Sequence, residues 1–320
     1  MESPNISPVS MDDTKRPFWS VMIPMYNPRP DYLEQALRSV LMQDPGSDRM
    51  QIEVVDDCST NIDVSALVKG IAGDRVTLSR NVKNLGQAGN LNNCIDRSNG
   101  VWVHILHYDD YVLPGFYELL EETQRAHPEV SLIATRSFLV DADGLIEQVT
   151  PRVRSLEKGG HEVQGLFYKN PIYTPAVVVR KSFYEQHGRF RTDLPYALDM
   201  ELWVRIISTG GGVILPQILA CYRSSAGNIT SRYIRSAEAL QDEWRLSRIF
   251  NELYPNYDLK RADQIHCRYA FARAKSYAQN GDLSAANANL KFWKEHASIS
   301  LRLELFIKSI VRRAARWIKR

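Results

Sequence analysis

Two pairs of adjacent carboxylates, Asp56-Asp57 and Asp109-Asp110, stand where acidic side chains could act on a ligand. Each follows a short apolar run and reads as the turn at the carboxyl end of a β-strand. In open α/β sheets that edge is where ligands bind. The chemistry such a crevice suits is diphosphate handling, because Mg²⁺ and Mn²⁺ are hard cations that take one or two carboxylates together with phosphate oxygens. Asp is also an ordinary turn and cap residue, so one pair alone leaves both readings open. Two pairs at strand ends of one sheet favour a site.

Competing chemistries lack their residues. No G-x-G-x-x-G follows the first strand and no G-x-x-x-x-G-K-[ST] occurs, which weakens a dehydrogenase or P-loop reading. H-E-x-x-H and G-x-S-x-G are absent too, so zinc-protease and α/β-hydrolase readings have no support. Cys58, Cys94, Cys221 and Cys267 lie far apart, without metal-ligand spacing or the density of a disulfide framework. Reduced thiols in a cytosolic protein are the expectation.

The elements that would position these acids alternate from Phe18 onward. Strands are expected at 19–23 (ending at Pro24), 51–56, 75–79 and 101–106. Helices are expected at 31–43 with Asp31 as N-cap, at 63–71, at 87–98, and at 114–127 with Pro114 at the first helical position. Strand and helix at this rhythm predict a parallel, doubly wound α/β sheet. Further strands are expected at 130–140 and 176–180, a helix at 198–208, and strand material at 213–223 broken by Pro216. From about Ser231 the pattern is helical, with a helical hairpin over 269–292 turning at Gly281-Asp282. The expected organisation is a disordered segment 1–16, an α/β domain 17–230, a helical region 231–298 and a basic amphipathic helix 299–320.

The 320 residues carry 44% hydrophobic and 24% charged side chains, ordinary for a globular protein with a full core. The net charge of +3 names no partner, but it is unevenly spread. Residues 299–320 sum to +6, through Arg302, Lys308, Arg312, Arg313, Arg316, Lys319 and Arg320 against Glu304, leaving −3 on the rest. The N-terminus has no basic-then-apolar signal pattern, and no apolar run approaches the roughly 18–20 residues of a membrane span.

Five blocks, SVMIPMYN (20–27), EVVDDCST (53–60), NLGQAGNLNNCI (84–95), LHYDDYVLPGFYELL (106–120) and LDMELWVRI (198–206), occur in the order and spacing of family 2 glycosyltransferases. The chain resembles that family over residues 18–230. The resemblance implies a GT-A fold, a Rossmann-like nucleotide-binding sheet joined to an acceptor-binding half. It implies transfer of a sugar, usually with inversion, from a nucleoside diphosphate sugar to an acceptor hydroxyl. Pro24 and Tyr26 then line the nucleotide pocket, Asp57 accepts a hydrogen bond from the base, and Asp56 shapes the turn. Asn84, Gly86 and Asn92 match the loop and helix start beside the nucleotide. Asp109 matches the residue facing ribose and metal, and Asp110 the residue holding the Mg²⁺ or Mn²⁺ that bridges the phosphates. Asp199 matches the catalytic base, with Glu201 as fallback; the plainer reading is a helix cap favoured by the positive dipole end. Trp203 reads as core or acceptor platform.

The chain departs from the family at three points. His107 replaces the usual first Asp of the metal motif, Leu91 replaces a frequent Arg, and Ser225 stands where a late metal-ligand His is common. These departures motivate an alternative, a nucleotide-sugar-binding or scaffold protein without turnover. In the tail, Leu303, Phe306, Ile307, Ile310, Val311, Ala314 and Ile318 recur at helical spacing with basic residues between them. Such a helix suits an anionic membrane surface, or alternatively packs on the body. Nucleic acid is not expected, since no recognition motif accompanies the charge. The resulting expectation is a cytoplasmic enzyme, peripheral at the inner face of the membrane, acting on a glycan or lipid-linked acceptor in surface polysaccharide, lipopolysaccharide or glycolipid synthesis.

Overall fold

The computed structural model describes residues 16–153, 166–224 and 228–305. The chain divides into two compact units, Met1–Ser225 and Ala226–Arg320. Residues 1–15 of the N-terminal segment, Ser225, and residues 306–320 of the basic tail lie outside the described residues.

In the first unit, β1 (Trp19–Met25), β2 (Met50–Asp56), β3 (Thr77–Arg80) and β4 (Trp102–Ile105) pair in parallel in the order β3-β2-β1-β4. The connecting helices are α1 (Pro30–Leu41), α2 (Val64–Ala72) and α3 (Gly86–Arg97). Every residue of β1 is buried, as expected of a central parallel strand covered on both faces. The strand runs through Pro24 instead of stopping there. Pairing to β4 ends at Met22↔Ile105, so the missing N–H of Pro24 breaks no ladder bond on that side.

Beyond β4 the sheet becomes mixed. The remaining strands are β5 (Tyr111–Val112), β6 (Leu132–Val140), β7 (Ile146–Val149), β8 (Val177–Arg180) and β9 (Gly212–Arg223). The order continues β4-β8-β6-β9-β5, with β7 on β6; β8 is antiparallel to both its neighbours and β6 is parallel to β9. The α/β architecture is as expected, while the purely parallel sheet is confined to four strands. The proline at 216 does not break β9. Register passes from Ala134↔Ile214 to Arg136↔Ile218, so residues 215–217 bulge out and Pro216 sits where no ladder donor is needed.

Two helix starts differ from expectation. Arg29 precedes α1 and Pro30 takes the first turn, so Asp31 pairs with Arg29 at 2.6 Å instead of capping. The helix α4 (Phe116–Ala126) begins after Gly115, whose φ of 85° turns the chain, and Pro114 stays outside it. Gln43 Oε1 accepts the Phe116 N–H at 2.9 Å, satisfying one of the orphan donors of that terminus. Gly100 is required by contact: a Cβ there would lie 2.5 Å from the Ser20 nitrogen. The core under the sheet gathers Trp19, Ile23, Leu33, Leu37, Trp102 and Phe116. His104 lies within it. Its Nε2–H donates to the Pro175 carbonyl at 3.0 Å, which leaves Nδ1 to accept from the Tyr117 hydroxyl at 2.9 Å. Burial lowers this imidazole to about 4, so it is a neutral packing residue.

The second unit contains α7 (Ile229–Arg235), α8 (Glu238–Leu253), α9 (Leu259–Gln279) and α10 (Leu283–His296); the first unit supplies α5 (Lys181–His187) and α6 (Leu198–Gly210). Asn228, Asp258 and Asp282 cap α7, α9 and α10 through side-chain oxygens. The expected hairpin is α9–α10, reversing at Gly281, whose φ is 79°. Ala270 and Phe292 of the hairpin pack with Ala237 and Leu240 at the start of α8. No helix among the described residues is long and apolar enough to cross a membrane.

Candidate active site

The carboxyl ends of β1 and β2 are tied together before any ligand is considered. Asn27, held at a positive φ of 48°, donates its N–H to Ser59 Oγ at 2.8 Å and accepts the Thr60 N–H on Oδ1 at 2.8 Å. Pro24 is buried beneath this junction, and Tyr26 is 46% exposed beside it. Asp56 shapes the turn, as anticipated: its carboxylate accepts from Ser59 and from Arg80, and it is fully buried. A cleft of about 550 Å³ opens here, lined in part by Asp56, Ser59, Thr60, Asp63 and Arg80. None of the second acidic pair lines it.

Asp57 is more heavily committed than the sequence indicated. Its Oδ1 accepts from Asn81 Nδ2 at 2.7 Å and from the Leu85 N–H at 2.8 Å, and its Oδ2 accepts from the Gly86 N–H at 3.0 Å. Asn84 Oδ1 also takes the Gly86 N–H, at 2.9 Å. Asp57 therefore anchors the start of α3, and about one of its four acceptor positions is left for a ligand. Gly86 has a φ of 73°, a conformation that favours glycine. Asn92, in the second turn of the same helix, gives both ends of its amide to the Phe190 backbone, each at 3.0 Å. It clamps α3 to the segment that leads into α6. Leu91 is core, 2% exposed, so no phosphate contact comes from that position.

The second acidic pair sits in the turn after β4. Asp110 is 1% exposed; Oδ1 accepts the Arg223 N–H at 2.8 Å, while Oδ2 has no hydrogen-bond partner and lies 3.6 Å from His107 Nδ1. Burial raises Asp110, against the pull of His107 and Arg223. Burial and the Asp110 charge push Asp109 up to about 6. His107 is lowered by burial, but the carboxylates of Asp110, Asp109 and Asp199 outweigh that and leave it above its ordinary value. His107 Nε2 is buried without a hydrogen-bond partner.

An orphaned, buried carboxylate oxygen beside a second acid with a raised pKa is a donor set that a divalent cation would relieve. The residues present fit Mg²⁺ or Mn²⁺ held by Asp109 and Asp110 together with substrate phosphates. Among the described residues, no group of three His, Cys, Asp or Glu side chains forms a complete cage.

Arg223, the last residue of β9, braces this turn. Its Nε donates to the Asp109 carbonyl at 3.0 Å, and Nη1 to the carbonyls of Asp141 and Ala142 at 3.1 and 3.0 Å. Nη2 reaches Gln35 Oε1, and the guanidinium lies 4.2 Å from the Tyr32 ring centroid. No local pattern could have revealed this, because its partners come from α1, the β4–β5 turn and the β6–β7 turn.

Asp199 lies in the first turn of α6, whose N-cap position is held by Ala197. Its Oδ1 accepts the Met200 N–H at 2.7 Å and its Oδ2 accepts from Asn170 Nδ2 at 2.9 Å. Burial raises its carboxyl to about 6, opposed by these donors and by His107. The charges of Asp109, Asp110 and Asp199 all act on His107, which brings the two sequence-distant acid sites into one electrostatic neighbourhood. Glu201 is 4% exposed and bound to Arg205 through both oxygens at 2.9 Å. Arg205 in turn holds the carbonyls of His187, Gly188 and Arg189. Glu201 is therefore a structural anchor and not an available base. Trp203, 3% exposed, belongs to the core and offers no acceptor platform.

Residues 20–188 match the model of a family described as Glycosyl transferase family 2. The amylovoran biosynthesis glycosyltransferase AmsE of Erwinia amylovora is 31% identical over 230 residues, covering 68% of this chain and 82% of that protein. An uncharacterized protein of Mycobacterium tuberculosis is 31% identical over 267 residues, 78% of this chain and 81% of its own. Among solved structures, S. aureus TarS in complex with UDP-GlcNAc superposes with a TM-score of 0.60 at 15% identity, over 87% of this chain and 91% of that one. The mannosyltransferase PcManGT from Pyrobaculum calidifontis, in complex with GDP-Man and Mn²⁺, gives a TM-score of 0.54 at 17% identity, over 97% and 84%. At these identities the two structures share the fold.

Proposed function

Since this chain belongs to glycosyltransferase family 2 and is a glycosyltransferase, we propose that it moves a sugar, with inversion, from a nucleoside diphosphate donor to an acceptor hydroxyl. The observation that carries the proposal is the buried Asp110 Oδ2, without a hydrogen-bond partner and 3.6 Å from His107 Nδ1, in a turn where the charges of Asp109 and Asp199 also act on His107. Two of these acids face a diphosphate and the third takes the acceptor proton. The exposed ring of Tyr26 and the buried Pro24 border the nucleobase. Asp57, Asn84, Gly86 and Asn92 set the start and the lean of α3 beside it, with the remaining acceptor position of Asp57 open to the base. A bound Mg²⁺ or Mn²⁺ would neutralise the charge gathering on the departing nucleoside diphosphate. Asp199 acts as general base from the face opposite the leaving group, the geometry of inversion. A carboxyl near 6 is mostly ionised at neutral pH and is still a stronger base than an ordinary aspartate.

Calorimetric titration with uridine, guanosine and thymidine diphosphate sugars in Mn²⁺ tests the donor site. One of them is expected to bind at pH 7.5 and to bind roughly four-fold more weakly at pH 5.5, because protons compete for Asp109 as the pH falls below about 6. Folded protein that binds none of them removes the donor assignment.

The acceptor in this proposal is a glycan or lipid-linked saccharide of a surface polysaccharide or glycolipid, a reading supported by the biosynthetic name of the Erwinia relative. The basic stretch 299–320 would bring the enzyme to an anionic membrane surface. Flotation with anionic liposomes is expected to recover the full chain and to lose a protein ended at Ser298; equal recovery of the two would refute tail-driven association.

A further inference from the structure

The carboxylate assigned as base has a partner that the sequence did not single out. Asn170, on the segment before the 3₁₀ turn Thr174–Ala176, donates from Nδ2 to Asp199 Oδ2 at 2.9 Å. Its own Oδ1 accepts the Ile172 N–H at 3.1 Å. That second bond decides which end of the amide meets the carboxylate, since a backbone N–H must face an oxygen. The other carboxylate oxygen takes the Met200 N–H at 2.7 Å. Asp199 is thus gripped at one oxygen by its own helix and at the other by a different element. Each oxygen keeps a further lone pair for an incoming proton.

The residue type carries the argument further. An acceptor two residues before a backbone N–H makes an ordinary side-chain turn, which Asp or Ser would also form. Only Asn makes that turn and simultaneously presents an N–H donor to the carboxylate. An aspartate at 170 would preserve the turn and set a second negative charge against Asp199. The requirement for an amide therefore comes from Asp199 and not from the loop.

We propose that Asn170 is a positioning residue of the transfer reaction, holding the Asp199 carboxylate in the orientation from which it accepts the proton of the acceptor hydroxyl. This rests on the assignment of Asp199 as base. Among the described residues, the charge of Asp199 acts on His107 of the turn after β4 and on Tyr173 of the Asn170 segment, and the Met200 N–H of α6 holds its other oxygen. None of them replaces the Asn170 donor at Oδ2.

The test compares the wild type with Asn170→Asp, Asn170→Ala and Asp199→Asn, using the nucleotide sugar found to bind and reading release of its nucleoside diphosphate. Asn170→Asp and Asn170→Ala are each expected to lower kcat roughly 10- to 100-fold, with donor Kd within two-fold of wild type. The acid limb of the kcat profile, near pH 6 in the wild type, is expected to move upward in both. Asn170→Ser, which keeps the turn and a weaker donor, should recover part of the rate, and it carries the comparison if Asn170→Ala does not fold. A residue that only supported the loop would lower Tm without separating kcat from donor affinity. The proposal is overturned if Asp199→Asn is inactive while the Asn170 variants keep wild-type kcat and acid limb. If Asp199→Asn retains turnover, the base assignment itself fails and the role of Asn170 falls with it.

Discussion

Replacing Asp199 with asparagine is expected to lower kcat by roughly a thousand-fold, within the range of a lost general base, while donor affinity is unchanged. The same substitution is expected to make the protein more stable at pH 8. The Asp199 carboxyl is raised by burial from an ordinary 3.8 to about 6. A carboxyl raised in the folded state contributes stability that is complete below the unfolded value and is lost as the pH rises through the folded value. At pH 8 the ionised group therefore weighs against folding, by up to about 3 kcal/mol from this shift. Asparagine removes the buried charge, but the Met200 N–H and the Asn170 amide must then share one acceptor. A net gain of about 1–2 kcal/mol is the resulting expectation. Thermal melts at pH 8 and pH 4.5 check it: the variant should melt higher at the first and not at the second. Turnover near the wild-type level would take Asp199 out of the reaction.

Changing Asp110 to asparagine is expected to weaken Mn²⁺-dependent donor binding roughly 100-fold or more, the scale of losing a direct ligand. The fold should survive, because the bond from the Arg223 N–H needs only a carbonyl-type oxygen at Oδ1. What disappears is the charge at Oδ2, the oxygen without a hydrogen-bond partner. Calorimetry with and without Mn²⁺ separates the contributions: the variant should approach the metal-free affinity of the wild type. An unchanged Mn²⁺-dependent affinity would show that Asp110 does not belong to the diphosphate site.

Much of the catalytic unit was readable from the chain because its first half is built of local signals. Buried strands, amphipathic helices and acidic turns follow one another from Trp19 to Ala126, and each announces itself within a dozen residues. The prolines were misleading for a tertiary reason. Whether Pro24 or Pro216 ends a strand depends on which neighbour has stopped pairing, and that is decided elsewhere in the sheet. The support of the site was hidden for the same reason. Asn92 meets Phe190 across 98 positions, and Arg223 meets Asp110 across 113. Glu201 stands in the sequence as the fallback for Asp199, one helical turn holding both; the reach of Arg205 removes it. The roles expected of Asp57 and Asn92 concern a ligand, whereas both side chains bond to protein groups that a sequence motif does not display.

The brace formed by Arg223 bears on how this enzyme could be recombined with others. Arg223 is the final residue of β9, and the second compact unit begins at Ala226. The last strand residue before the helical unit is therefore also the one that fastens Asp110 and the Asp109 carbonyl. A gene fusion or domain exchange joined upstream of it would import a foreign residue into the heart of the acidic turn. Joined downstream, it would leave that turn untouched. Shuffling of helical partners onto this catalytic unit is thus confined to a junction only a few residues wide.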